Sequence, residues 1–192
     1  AEVSIVRDTC AEASDMLGED LWALVEKGPV DALNQTINTQ PVMLSANVAI
    51  YRAWLARGGK KPDYVAGHSL GEYAAFVASG VLGFADAIKA IRIRAKLMTE
   101  AMPTGGAMAA VLGLDQEPLG RVCCQAANDQ VVEMVNFNAP GQIVIAGNVD
   151  AVERAAVLAK EAGAKRVAML PVSGPFHSSL MQDAAAKMAD HL

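Results

Sequence analysis

Apolar positions recur at helical spacing over the first hundred residues, and after about residue 103 they shift to short runs broken by turn residues. The first 36 residues read as helical and mixed, with no strand signal. Thr39 is placed to cap an apolar helix from Gln40 to Ala56, closed by Gly58-Gly59. Pro62-Asp63-Tyr64-Val65-Ala66-Gly67 is short and apolar, as a buried strand would be. Helices are expected from about Leu70 to Ser79, stopped by Gly80, and from about Ala85 to Met102, with Asp86 in the first turn and Pro103 beyond the end.

From there the pattern predicts a strand over Gly106 to Leu114, a helix over Glu117 to Asn128, and strands over Val131 to Phe137 and Gln142 to Ala146. Asn138-Ala139-Pro140-Gly141 joins those two strands. A helix over Asp150 to Ala162, ended by Gly163, and a last strand over Lys165 to Val172 follow. The order β-α-β-β-α-β is that of a ferredoxin-like unit. Outside it only Tyr64 to Gly67 reads as a strand. One strand cannot build a doubly wound sheet, so the chain is expected to be a piece of a larger domain.

Composition narrows the class. Apolar residues make up 53% and charged residues 19%, which marks a globular chain and not a disordered one. The longest apolar runs fall well short of the roughly 20 residues of a membrane span, and no basic segment leading into an apolar stretch opens the chain. No membrane association is expected. A net charge of −5 argues against nucleic-acid binding, which relies on a basic face. Cys10, Cys123 and Cys124 have no C-x-x-C spacing, so neither a disulfide framework nor a zinc site is expected and a cytoplasmic setting fits best.

Gly67-His68-Ser69-Leu70-Gly71 matches G-x-S-x-G, the nucleophile elbow. In such an elbow the serine sits on a tight strand-to-helix turn that lifts its hydroxyl clear and aims a helix N-terminus at it. Glycines let neighbouring chain pass close by. The backbone N–H of Leu70 would then face the position where an oxyanion forms. The plainer alternative is a serine N-cap after a strand. A serine nucleophile needs a base, and there are three histidines, His68, His177 and His191. His68 adjoins Ser69 in the turn, where side chains diverge, and His191 is next to the last residue. His177 follows a predicted strand within Pro171-Val172-Ser173-Gly174-Pro175-Phe176-His177-Ser178, so elimination selects it, although a loop histidine is as readily solvated and idle.

The motifs GHSLGEY (Gly67 to Tyr73), Thr39-Gln40-Pro41, the arginine helix, VNFNAPGQIVIAG (Val135 to Gly147) and PVSGPFHSSLM (Pro171 to Met181) together resemble the malonyl-CoA:acyl carrier protein transacylases, free-standing enzymes of bacterial fatty acid synthesis. The resemblance runs essentially from residue 1 to residue 192. It implies an α/β fold with an α/β-hydrolase-like core and an inserted ferredoxin-like subdomain. Residues 1–102 and 178–192 would then be parts of the core, and 103–177 the subdomain. It also implies Ser69 as nucleophile, His177 as base, Leu70 as an oxyanion donor and Arg94 as the group that holds the malonyl carboxylate. A planar guanidinium suits that task, but periodicity cannot separate Arg94 from Arg92, since both flank the stripe of Ile88, Ile91, Ala95 and Met98.

Further roles rest on the resemblance alone. Gln40, His68, Asn138 and Gln142 become candidate substrate or coenzyme A contacts, and Lys165 and Arg166 candidate partners of its phosphates. Gln142 could equally be a hairpin glutamine, Asn138 ordinary turn chemistry and the two cations solvated charges. Phe176 resembles the malonyl-type signature, in which a bulky ring leaves little room for an α-methyl branch. The family begins with a strand and a G-Q-G-x-Q loop and continues into strands beyond the position of Leu192; this sequence shows neither, so activity of this chain alone is in question. The expected substrates and partners are malonyl-CoA and acyl carrier protein. The coenzyme A thioester serves as substrate; no resident cofactor or metal is expected, and the protein would be a monomer. Two alternatives remain: a serine esterase or thioesterase using the same elbow, and an inactive docking module for the carrier protein. An esterase would normally place an Asp or Glu between Ser69 and His177, and none stands out.

Overall fold

In the computed structural model the described residues are 2–172 and 174–191. The chain forms two compact units, one ending at Lys96 and one spanning Leu97–His191. The first is helical: α1 (Glu2–Leu17), α2 (Leu21–Lys27), α3 (Val30–Leu33), α4 (Thr36–Ala56), α5 (Gly71–Ser79) and α6 (Phe84–Ala101), whose last turn belongs to the second unit. The apolar stripe of α6, with Phe84, Ala87, Ile88, Ile91 and Ala95 buried, is the one its 3.6-residue spacing dictates. Its first four members pack with Leu44 and Val48 of α4, Leu21 of α2, Ala13 of α1 and Leu70. Asp20 caps α2 by accepting the Ala23 N–H at 2.9 Å. Arg52 ties three helices together: it donates to Glu12 at 2.6 Å and Thr9 at 3.2 Å on α1, and lies 4.8 Å from the Phe84 ring centre.

Two expectations for this unit fail. The helix expected from Gln40 begins four residues earlier, at Thr36, and Thr39 is not its cap. The Thr39 hydroxyl instead donates back to the Leu33 and Gln35 carbonyls at 2.6 and 3.0 Å, while Asn38 and Thr39 amides bond the Gln35 carbonyl. These bonds carry the helix into Pro41, which cannot donate. The segment Pro62 to Gly67 is not a strand, because among the described residues no other strand pairs with it; Tyr64 is 93% exposed.

The second unit holds β1 (Gly106–Leu112), α7 (Gln116–Ala127), β2 (Val132–Ala139), β3 (Gln142–Asn148), α8 (Val149–Glu161), β4 (Arg166–Met169), a 3₁₀ turn (Ser179–Met181) and α9 (Gln182–Ala189). The last strand is shorter than the apolar run from Lys165 to Val172 suggests, because ladder pairing to β1 stops at Met169. All pairings in the four-stranded sheet are antiparallel, in the order β2-β3-β1-β4. Alternation splits its side chains between two faces. Ala109, Val111, Ile143, Ile145 and Val132 pack with α7 and α8, and Met108, Val144 and Ala146 form a smaller patch with Leu170, Val172 and Phe176. Among the described residues no helix is long and apolar enough to cross a membrane.

The C-terminus of α7 is held by a side chain from α8. Arg154 donates to the Ala126 and Ala127 carbonyls at 2.9 and 3.3 Å and to Gln130 Oε1 at 2.8 Å. A cation at that end also meets the negative pole of the helix. Arg154→Met keeps the packed stem but removes these bonds, and should lower stability by about 1–2 kcal/mol. Urea unfolding followed by circular dichroism should show a lower midpoint at unchanged slope.

Candidate active site

The turn before α5 is shaped by contact between backbones. A Cβ on Gly67 would lie 2.0 Å from the Gly71 carbonyl carbon and 2.2 Å from the Glu72 nitrogen, so only glycine fits there. Gly71 differs, since a Cβ on it would meet nothing within 4 Å. Between them the chain turns through Ser69 at φ +53°, a left-handed conformation costing an L-residue roughly 1–2 kcal/mol. The turn closes through Gly71 N–H to His68 O at 2.9 Å, Glu72 N–H to Ser69 O at 3.1 Å and Tyr73 N–H to Leu70 O at 3.1 Å. Ser69 stands half-buried just before the N-terminus of α5, and the Leu70 side chain that follows it is buried. The Leu70 N–H donates to no backbone carbonyl among the described residues, so it keeps a donor beside Ser69. Tyr51 on α4 fixes the far end of α5 by donating its hydroxyl to Ala78 O at 3.1 Å.

Arg94 reaches this turn from α6. Its Nη1 donates to Gln40 Oε1 at 2.5 Å and its Nη2 to Ser69 Oγ at 3.1 Å, and its guanidinium carbon lies 6.0 Å from the Tyr73 ring centre. Burial pulls Arg94 below the ordinary arginine value, while Tyr73 and Glu72 push it back up. The same burial raises the Tyr73 hydroxyl, against the pull of Arg94 and with a smaller push from Glu72. A guanidinium remains charged here, so the turn holds a partly desolvated cation at the serine oxygen. Arg92, two residues earlier, points elsewhere and pairs with Glu19 at 2.5 Å. Gln40 is 7% exposed, so it is a buried partner of the cation.

The remaining candidates fall into separate places. His68 is exposed and lines a cavity of about 510 Å³ with Asn47, Tyr51, Tyr64 and Gly67. In the second unit, Gln142 and Arg166 are both register partners of Leu112 at the end of β1. Lys165 joins them, donating its N–H to Leu112 O at 2.8 Å, and Asn138 lies near the end of β2. All four are exposed, so the sheet gathers them at one end. Phe176 is half-buried in the apolar patch, and His177 is exposed at φ +68°. Ser173 of the same motif lies outside the described residues. The buried thiols are poor rivals as nucleophiles: burial raises Cys10, and burial with Cys124 and Glu133 nearby pushes Cys123 up to about 11. Among the described residues no three His, Cys, Asp or Glu side chains are grouped to hold a metal ion.

The acyl transferase domain family matches residues 5–192. The chain belongs to that family. It is 55% identical over its whole length to the malonyl CoA-acyl carrier protein transacylase of Escherichia coli (strain K12), covering 62% of that protein. The crystal structure of the malonyl CoA-acyl carrier protein transacylase from Coxiella burnetii superposes with a TM-score of 0.95 at 49% identity, over 98% of this chain and 60% of the other. A malonyl-transacylase solved in complex with a type II polyketide acyl carrier protein superposes with a TM-score of 0.94 at 54% identity, over 97% and 61%. The chain thus spans about three fifths of the length of these relatives. The mixed α/β character expected from the sequence is that of these acyl transferase structures.

Within this acyl transferase chain one neighbour of the site carried no assigned role in the sequence reading. Tyr73 closes the GHSLGEY motif, and its position one helical turn beyond Ser69 was the available signal. The two glycines of the elbow should separate cleanly in stability. Gly67→Ala drives a methyl into backbone and should lose about 3 kcal/mol or more, whereas Gly71→Ala should stay within about 1 kcal/mol of the parent. Chemical denaturation of both variants measures this; equal losses would show that the close approach is not what demands glycine.

Proposed function

We propose that the protein transfers a malonyl group from coenzyme A to the phosphopantetheine thiol of acyl carrier protein through a malonyl-serine intermediate. The observation that carries this reading is the Arg94 guanidinium, held by Gln40 and in contact with Ser69 Oγ. A planar cation at the nucleophile suits an acyl group that ends in a carboxylate. Relatives 55% identical bear the transacylase name and one solved relative is in complex with a carrier protein, which favours transfer over hydrolysis and over a docking module. In this reading residues 1–102 and 178–192 belong to a hydrolase-like core and 103–177 are an inserted ferredoxin-like subdomain. The enzyme works as a cytoplasmic monomer without a resident cofactor.

The mechanism is ping-pong. His177 removes the Ser69 proton as Oγ attacks the thioester carbonyl carbon, and the Leu70 N–H receives the developing oxyanion. The carbon–sulfur bond breaks, the coenzyme A thiolate takes the proton from His177, and the malonyl-serine ester remains with its carboxylate on Arg94. The phosphopantetheine thiol then attacks the ester, giving its proton to His177, which returns it to Ser69 Oγ as that oxygen leaves. Gln142, Lys165 and Arg166, gathered at one end of the sheet, bind coenzyme A, the two cations taking its phosphates. Gln40, His68 and Asn138 line the path of the acyl thioester, and the Phe176 ring disfavours α-branched acyl groups.

Ser69→Ala should abolish the malonyl adduct seen by intact mass spectrometry after incubation with malonyl-CoA. His177→Ala should slow acylation by several orders of magnitude, and His68→Ala should leave it within about tenfold. An adduct on another serine, Ser178 included, would reject the assignment. Arg94→Ala should lower malonyl transfer by a few hundredfold or more, since a desolvated bidentate pair is worth several kcal/mol and about 1.4 kcal/mol is tenfold. Acetyl transfer should be unchanged or faster, and Arg92→Ala should alter neither. Assaying both thioesters with both variants decides this; equal slowing of acetyl and malonyl transfer would make Arg94 structural.

A further inference from the structure

His177 lies in a stretch whose neighbours are pinned one after another, all within the second unit. A Cβ on Gly106, at the start of β1, would fall 2.3 Å from Pro175 Cδ, so the fully buried Pro175 ring is seated against bare backbone. Phe176 packs into the apolar patch of Met108, Val144 and Ala146. Ser178 is 5% exposed, and both its hydroxyl and its N–H donate to Pro175 O, at 2.6 and 3.2 Å. The Ser179 N–H then donates to Glu133 Oε2 at 2.7 Å. Glu133 stands on β2 opposite Ala146, on the sheet face that carries the patch, so strand and loop are joined by one charge-assisted bond. His177 sits between these anchors at φ +68°. A left-handed histidine is held only where the flanking chain is over-determined.

We propose that Glu133 is a positioning residue for His177: by accepting the Ser179 N–H it closes the clamp that keeps His177 in its left-handed conformation. The inference rests on the reading of His177 as the base. Glu133 itself touches no reacting atom in this account. Its acceptor oxygen meets the first N–H of the 3₁₀ turn. The bond requires an acceptor at position 133, and a formal charge only strengthens it.

The test is steady-state and single-turnover acylation of Ser69 by malonyl-CoA in the protein. Glu133→Ala should lower kcat by about tenfold to a hundredfold with KM unchanged, the size expected of a misplaced catalytic group. Glu133→Gln retains an acceptor and should restore the rate to within about threefold. Ser179→Pro removes the donor instead, and Ser178 before it is already extended (φ −81°, ψ 170°), the conformation a following proline requires. It should reproduce the Glu133→Ala loss and carries the test if Glu133→Ala fails to fold. In a His177→Ala background Glu133→Ala should cost nothing further, because it acts through the histidine. An undiminished rate in folded Glu133→Ala, or an equal additional loss without His177, overturns the inference while the functional reading stands. A His177→Ala variant as fast as the parent overturns both.

Discussion

The candidate site depends on one steric fact, that the backbone at Gly67 touches the backbone at Gly71 and Glu72. That approach leaves no room for a side chain and turns the chain so sharply that Ser69 takes a left-handed conformation. The serine oxygen and the Leu70 N–H are then presented at the start of α5. A helix N-terminus favours negative charge, as the oxyanion of the proposed reaction would carry. The apolar core beneath, with Leu70 packed among Ile88, Ile91 and Leu44, is what holds the strained turn in place.

Charge is arranged around that turn by burial as much as by contact. Arg94 and Arg92 are two residues apart on one helix, yet one is directed to Ser69 and Gln40 and the other to Glu19. A buried glutamine suits the carboxylate-binding role proposed for Arg94, because it fixes direction without neutralising charge. A carboxylate in the same place would compete with an acidic substrate.

In the second unit the sheet uses its two faces differently. One is sealed by α7 and α8 around fully buried residues such as Ile145 and Val152. The other receives the segment that ends in His177, through Pro175, Phe176 and the bond from Ser179 to Glu133. Three non-glycine residues have positive φ among those described: Ser69, His177 and Asn128, the last at the end of α7. An asparagine there is ordinary helix-end chemistry. The other two coincide with the proposed nucleophile and base, consistent with backbone strain gathering at functional residues.

Periodicity, turn chemistry and motif order were enough to place α5 to α8, the β2–β3 hairpin and the tight turn through Ser69, because each rests on interactions only a few residues apart. Family resemblance, carried by five ordered motifs, added roles for Ser69, His177 and Arg94 that spacing alone left open. Local rules failed where another partner, near or distant, decides. Thr39 has the chemistry of a cap but spends its hydroxyl on carbonyls behind it. Tyr64 to Gly67 has the composition of a strand, but a strand exists only through its ladder. Spacing could not separate Arg94 from Arg92, which the fold directs to Gln40 and Glu19, respectively 54 and 73 residues away in sequence. The bond between Glu133 and Ser179 spans 46 residues, and neither residue type signals it. Sequence by itself therefore determined which residues could do chemistry and which short elements carry them. Tertiary structure alone decided which of those side chains meet, because a hydrogen bond across the fold depends on packing that no local pattern encodes.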